Sequence, residues 1–600
     1  MLSTIRELAR LMRGSRLHYG AAILALVVAS SFLYLAPLVP QAVLDGALTS
    51  DGPPPSGVSS SVLGWMGGAD AVRARLWLPA LLVAALTAIA GVFTYLRERL
   101  AATATERIIA RLRERLYDRL QRLRTRFHDD AESGDLVQRC TSDVDTIALF
   151  LGEQVVEFGR MIVMLFVPIP LMLAVDPRLT IAAVALVPVI LGFSLLFFGK
   201  VHRAYQASDE AEATLTANVQ ENIAGIRVVR AFARQDYEQD RFAVNNGGFR
   251  DTRYRVFVVA GWFWGISDFL CFAQQAVVVV GGIALLVRGE ITVGALFFFL
   301  TAVSMFTFPM RQLGRIVSDF GKASVALQRV GTILQAEAER DPAQPEPAGR
   351  RGAIAFEHVS FAYGDGETVL DDVTFEVPAG GTLAIVGPPG SGKSTIAALL
   401  LRMYEVGAGT ISLDGRNITE ITRAQLRTRV GVVHQEPFLF SKPLVENLRM
   451  GDPSATLDDV RAATQTASVH AAIERFEQGY DTKVGERGVT LSGGQRQRVA
   501  IARTLLERPD VLVLDDALSA VDTRTEARIL AALRQRRGTT IVIAHRISTL
   551  MLADRVLVLD AGRVAQLGSL EALRDAPGPF GRIVAQQRGW SRDTPDKEAG

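Results

Sequence analysis

Leu383-Ala-Ile-Val386, Gly387-Pro-Pro-Gly390-Ser391-Gly392-Lys393-Ser394 and Thr395-Ile-Ala-Ala-Leu-Leu-Leu401 follow one another without a break. The first four residues read as a buried strand, the last seven as a helix, and the middle as a glycine-rich loop. This is the G-x-x-x-x-G-K-[ST] pattern in its strand–loop–helix setting. Glycines let the main chain wrap closely round phosphate oxygens, and the N–H groups and helix N-terminus supply positive potential. Lys393 then reaches the terminal phosphates and Ser394 is a ligand for Mg²⁺. The C-terminal half is therefore expected to be an α/β P-loop domain that binds ATP.

Two further stretches complete the phosphate chemistry. Val511-Leu-Val-Leu514 reads as a second strand and ends in Asp515-Asp516. Asp515 is placed to hold the Mg²⁺ shell, and Asp516 to orient or deprotonate the attacking water. Between the two strands, Leu491-Ser492-Gly493-Gly494-Gln495 opens a helical run beginning at Arg496. That gives a second anion-binding helix N-terminus. Nothing requires both ends around one γ-phosphate to come from one chain.

The N-terminal half is different in kind. Of 600 residues, 49% are hydrophobic and 21% charged, and the long apolar runs all precede about residue 313. Six segments, 20–44, 76–96, 155–175, 179–199, 256–287 and 291–313, are long enough to span a bilayer, which takes ~20 residues. Arg6, Arg10, Arg13 and Arg16 before the first, and the Arg-rich stretch from Arg97 to Arg139, place the N-terminus and the inner loops in the cytoplasm. Arg73 and Arg75 fall on the outer side, against that rule. The outer loop 45–75, with Asp51-Gly-Pro-Pro-Pro and a serine run, is expected to be irregular. The connections at 176–178 and 288–290 are short, whereas about 58 and about 56 residues separate spans 2 and 3 and spans 4 and 5. A helix of ~25 residues extends ~38 Å, so each inner loop can run out from the membrane and return.

Domain limits follow: a transmembrane domain over 1–336, a Pro- and charge-rich linker over 337–352, a nucleotide-binding domain over 353–588 and a disordered tail over 589–600. Lys+Arg is 65 against 63 Asp+Glu, which argues against a nucleic-acid partner. With only Cys140 and Cys271, a disulfide framework and a cysteine metal site are both excluded.

In order and spacing these motifs resemble the ATP-binding cassette (ABC) transporter family, in particular half-size exporters with six spans fused to one cassette. The fold this implies is an all-α six-helix transmembrane bundle with long cytoplasmic hairpins, followed by the cassette. The resemblance implies a Walker A motif at 387–394, a signature at 491–495 and a Walker B at 511–515. It implies that Tyr363 stacks on adenine, that Gln435 contacts Mg²⁺ and senses the membrane domain, that Asp522 is the D-loop aspartate, and that His545 contacts the γ-phosphate. Thr482–Gly488 resembles the exporter X-loop, and Gly134–Asp145 and Ala224–Phe232 look like the two inner-loop signatures.

One position departs from the family pattern. Asp516 stands where a glutamate is usual, one methylene shorter and so ~1.5 Å short in reach. A general base misplaced by such a distance can cost ~100-fold. The change resembles the degenerate site of heterodimeric exporters, with the intact signature serving a partner's ATP. The implied activity is ATP-driven export of amphipathic small molecules, lipids or peptides across the cytoplasmic membrane by alternating access. The partner would be a second half-transporter. A homodimer using Asp516 as base, an importer on the same fold (for metal–siderophore complexes, for example) and an ATP-gated channel stay open. In span 6, Phe297, Phe298, Phe299 and Phe306 are candidates to line an apolar cavity or to pack. Asp268 in span 5 is a candidate cavity acid.

Overall fold

The computed structural model describes residues 2–48, 57–311, 313–342, 351–364, 366–485, 490–544, 546–551 and 553–582. The chain divides into two compact units: Met1–Gln121 with Glu132–Ala336, and Arg122–Ala131 with Glu337–Gly600.

The first unit is all helical. Among the described residues, each expected span lies mostly on helix. Trp77–Arg122 and Gln235–Val287 are single helices of 46 and 53 residues that continue from an apolar half into a charged half. Among the described residues, five helical stretches are long and apolar enough to cross a bilayer, and Val293–Thr307 is a shorter apolar helix. Between Val175 and Pro177 the chain turns on one residue. Asp176 caps the next helix by accepting from Leu179 N at 2.8 Å, and Pro177 needs no donor at that first position.

Proline also explains a break inside span 4. Pro177–Val184 and Val187–Ala224 are separate helices around Pro188, which leaves main-chain groups unpaired. Fully buried Gln274 repairs the break. Its amide nitrogen donates to the carbonyls of Ala182 (2.9 Å) and Ala183 (2.6 Å), and its oxygen accepts from Leu186 N (2.9 Å).

The outer segment 45–75 departs from expectation. Its described part holds helices Gly57–Trp65 and Ala69–Ala74. Ser60 and Ser61 hydroxyls donate back to the Gly57 carbonyl, so the serine run stays within the helix. Arg73, which conflicted with the charge rule, donates to the Ala47 carbonyl and pairs with Asp70. Phe298, Phe299 and Phe306 are buried against Tyr34, Leu38 and Met172, and Phe297 is exposed. The first three are therefore packing residues. Asp268 is half-buried within helix Gln235–Val287. In the Gly134–Asp145 stretch, Asp135 and Asp143 both pair with Arg329 of helix Leu313–Gln335.

The second unit is α/β. Strands are β1 Ile354–Ala362, β2 Thr368–Val377, β3 Thr382–Val386, β4 Ala408–Leu413, β5 Arg416–Asn417, β6 Val430–Val433, β7 Val511–Asp515, β8 Thr539–Ile543, β9 Arg555–Asp560 and β10 Arg563–Gly568. They form two sheets ordered β2-β1-β4-β5 and β10-β9-β3-β8-β7-β6. The larger sheet is parallel except for β10. Its central strands are continuous apolar runs because both faces are covered. Alternation divides them: Leu383, Ile385, Val511 and Val513 enter one core, while Ala384, Val386, Leu512 and Leu514 enter the other. The linker residues 343–350 and the tail 589–600 lie outside the described residues.

Candidate functional site

β3 and β7 flank β8, so the loops at their carboxyl ends converge, as expected of ligand sites in open parallel sheets. The phosphate loop leaves β3 and enters helix Lys393–Leu400 through Gly392 at φ +93°. A Cβ at Gly387 would stand 2.3 Å from the Leu559 carbonyl, and one at Gly392 2.5 Å from Leu370. Only glycine fits either position. Gly390 is also left-handed, at φ +78°.

Lys393 is 8% exposed, and its ammonium donates to the Gly387 and Pro388 carbonyls at 2.9 and 2.8 Å. Burial holds its pKa below the usual lysine value, while Asp515 and Asp516 draw it back up. Ser391 is buried with a hydroxyl that has no hydrogen-bond partner among the described residues. An orphaned hydroxyl and a lysine resting on its own loop's carbonyls, at the N-terminus of a helix, suit a polyphosphate.

Ser394 Oγ donates to Asp515 Oδ1 at 3.0 Å. A hydroxyl beside a buried carboxylate is the oxygen donor set that Mg²⁺ accepts alongside phosphates and waters. Asp516 follows in a left-handed turn, φ +48°, with its N–H donating to the Ile543 carbonyl. Aspartate tolerates that conformation better than most residues. Gln435 Nε2 donates to Asp516 Oδ2 at 3.3 Å.

Tyr363 lies edge-on to Phe361 and Tyr404, with centroids at 4.9 and 5.1 Å, and its hydroxyl is 3.1 Å from Thr395 Oγ1. These rings border a cavity of about 490 Å³ that Arg124, Arg126 and Asp129 also line. Asp129 accepts from the Tyr404 hydroxyl at 2.5 Å. Helix Thr125–Asp130, at the turn of the first inner loop, thus belongs to the same compact unit as the strands.

Leu491 is buried, and Ser492 caps helix Gly493–Leu506 reciprocally with Gln495. A Cβ at Gly494 would meet the Ala520 carbonyl at 2.7 Å. Asp522 caps helix Thr523–Arg534 by accepting from Thr525 N at 2.9 Å. That hydrogen bond lowers its pKa. His545 lies outside the described residues, as do residues 486–488 of the X-loop stretch.

Two connectors escaped the sequence reading. Buried Gln497 accepts from Ala520 N (3.0 Å) and donates to Ser519 Oγ (3.1 Å) and the Gln435 carbonyl (3.4 Å). It joins the 491–495 helix to both loops. Arg546 donates to the Ser519 and Val521 carbonyls and to buried Glu526 at 2.6 Å. Their position beside a motif was the only available signal.

The ABC transporter transmembrane region family matches residues 19–310, and the ABC transporter family matches residues 370–519. An ABC transporter ATP-binding protein of Bacillus subtilis is 34% identical over 508 residues, 84% of this chain and 87% of its own length. This chain belongs to the ABC transporter family. An ATP-dependent lipid A-core flippase of Methylococcus capsulatus is 34% identical over 516 residues, 85% of this chain and 86% of its own. A fatty acid ABC transporter ATP-binding/permease protein of Mycobacterium bovis is 31% identical over 490 residues, 81% of this chain and 78% of its own. A bacterial Atm1-family ABC exporter with ATP bound has a TM-score of 0.80 at 29% identity, covering 95% of this chain and 99% of its own. The chain is thus a multi-pass ABC exporter half whose ATPase is coupled to transport.

Proposed function

We propose that this exporter half works in a heterodimer in which its own Walker site is the slow one. The observation that carries this reading is Asp516, a carboxylate one methylene short at the catalytic position, set in a left-handed turn. The residues take the following roles. Tyr363 stacks on adenine. Gly387, Gly390, Ser391, Gly392, Lys393 and Thr395 hold the phosphates through main-chain N–H groups, the ammonium and hydroxyls. Ser394, Asp515 and Gln435 hold Mg²⁺, which when bound neutralises charge developing on the phosphates. Asp516 orients the attacking water and His545 contacts the γ-phosphate. Leu491 to Gln495 are offered to the ATP bound by the partner's Walker A, with Asp522 beside them.

Both termini and the cassette lie in the cytoplasm, and the spans cross the cytoplasmic membrane. Two cassettes bind ATP better when closed, so nucleotide shifts the population toward the closed pair and the outward-tipped spans. Hydrolysis resets it. The substrate class is amphipathic: small molecules, lipids or peptides. Two relatives, a lipid A-core flippase and a fatty acid transporter, support the lipid end of that range. ATP-dependent uptake of labelled lipid into inside-out vesicles tests direction and substrate together. Uptake supports export of lipid, while ATP-dependent loss of preloaded label would establish import.

A further inference from the structure

Helix Leu2–Leu11 is amphipathic and stands just before the apolar helix that begins at Arg16. Leu8 is buried, while Arg6 and Arg10 are exposed. The chain turns between the two helices through Gly14 at φ +89°. A Cβ there would lie 2.9 Å from Arg111 Nη1, so glycine lets the Arg111 guanidinium come up beneath the turn. Arg111 donates to Ser15 Oγ at 3.1 Å and to the Arg107 carbonyl at 3.0 Å.

A cavity of about 300 Å³ opens here, lined by Arg10, Arg13, Arg111 and Arg115 over an apolar floor of Ile108 and Leu112. That volume is at the small end for ligand sites. Among the described residues no carboxylate lines it. Arg107, Arg111 and Arg115 follow at four-residue steps on one helix, and like charges at that spacing are mutually unfavourable. Just beyond, Leu17, Ile23 and Leu24 are exposed, so an apolar surface begins where the cationic cavity ends.

We propose that this cavity binds the headgroup phosphate of an anionic phospholipid, held by the four guanidiniums, with the acyl chains along the exposed face of the first span. Guanidinium forks match phosphate oxygens. A basic cluster on the cytoplasmic flank of a span, beside an amphipathic helix, is where anionic headgroups collect. The adjoining apolar surface favours a lipid over free phosphate. This site rests on the cytoplasmic orientation proposed above and is independent of the transported substrate.

The test uses the full chain reconstituted in nanodiscs of equal phosphatidylcholine and phosphatidylglycerol, then released for native mass spectrometry. The wild type is expected to retain phosphatidylglycerol. The quadruple variant Arg10→Gln, Arg13→Gln, Arg111→Gln, Arg115→Gln is expected to lose retention by ~10-fold or more. The quadruple Arg→Lys variant is expected to keep most of it. Unchanged ATP binding by each variant confirms folding. Equal retention by the glutamine variant, or displacement of the lipid by excess inorganic phosphate, would overturn the site. Orientation is read separately: an N-terminal tag shielded in inside-out vesicles would refute the orientation, whatever the lipid retention.

Discussion

The side-chain amide of Gln435 donates to Asp516 Oδ2 across 3.3 Å, so the short carboxylate sits against the residue assigned to Mg²⁺ and to sensing the membrane domain. Lengthening it should bring the base to its water. Asp516→Glu is expected to raise single-turnover cleavage of ATP at this chain's own site by up to ~100-fold. ATP affinity should change little, because the phosphate loop is untouched. An unchanged cleavage rate would show that reach is not what limits this site.

Gln497 joins three loops with one side chain. Gln497→Ala frees the 519–522 turn from the helix that opens at Ser492. ATPase is expected to fall about 10-fold with nucleotide affinity nearly constant, a loss of positioning of the kind that small displacements cause. A proportional loss of ATP binding, followed by titration with a fluorescent nucleotide, would contradict that division of labour.

Lys393 carries a pH signature. Burial puts its pKa below the usual 10.5, so the unfolded chain binds this proton more tightly than the nucleotide-free fold. The fold bears the full cost of the buried ammonium at neutral pH and sheds it as pH rises toward 10.5. Wild type should therefore gain stability relative to Lys393→Met over that alkaline range, read by thermal unfolding without nucleotide. A difference that stays flat with pH would contradict the buried charge.

Gln274 should matter to the membrane half out of proportion to its position. Gln274→Ala removes three hydrogen bonds and takes away the side-chain partner of the Ala183 carbonyl and the Leu186 N–H beside Pro188. A loss of about 1–3 kcal/mol is expected, seen as a lower melting temperature in detergent. Gln274→Leu should not rescue it, because shape is not what is missing.

The phosphate loop was legible in the sequence because its chemistry is main-chain chemistry. Gly387 is dictated by backbone 2.3 Å from where a side chain would be, and Gly392 by its left-handed φ of +93°, and both demands show as glycine. The strands were legible because burial on both faces leaves only apolar residues. Gln497, Arg546 and Gln274 were not legible. Each acts on polar groups brought near by folding, and a polar side chain carries no mark in the sequence of a partner 20 or 90 residues away. The grouping of 122–131 with the strands escaped for the same reason, since the Tyr404–Asp129 hydrogen bond joins residues 275 apart. The helix at Gly57–Trp65 was hidden by serines whose hydroxyls bond back to their own turn.

The most direct measurement is steady-state ATPase in lipid for this chain alone, for the chain with a second half-transporter bearing a glutamate after its own Walker B aspartate, and for both again with Asp516→Asn. Slow turnover alone, fast turnover when paired, and a paired rate that survives Asp516→Asn are the results expected of a chain whose signature serves its partner's site. Fast turnover by the lone chain that Asp516→Asn abolishes would contradict it and establish a homodimer with aspartate as the base.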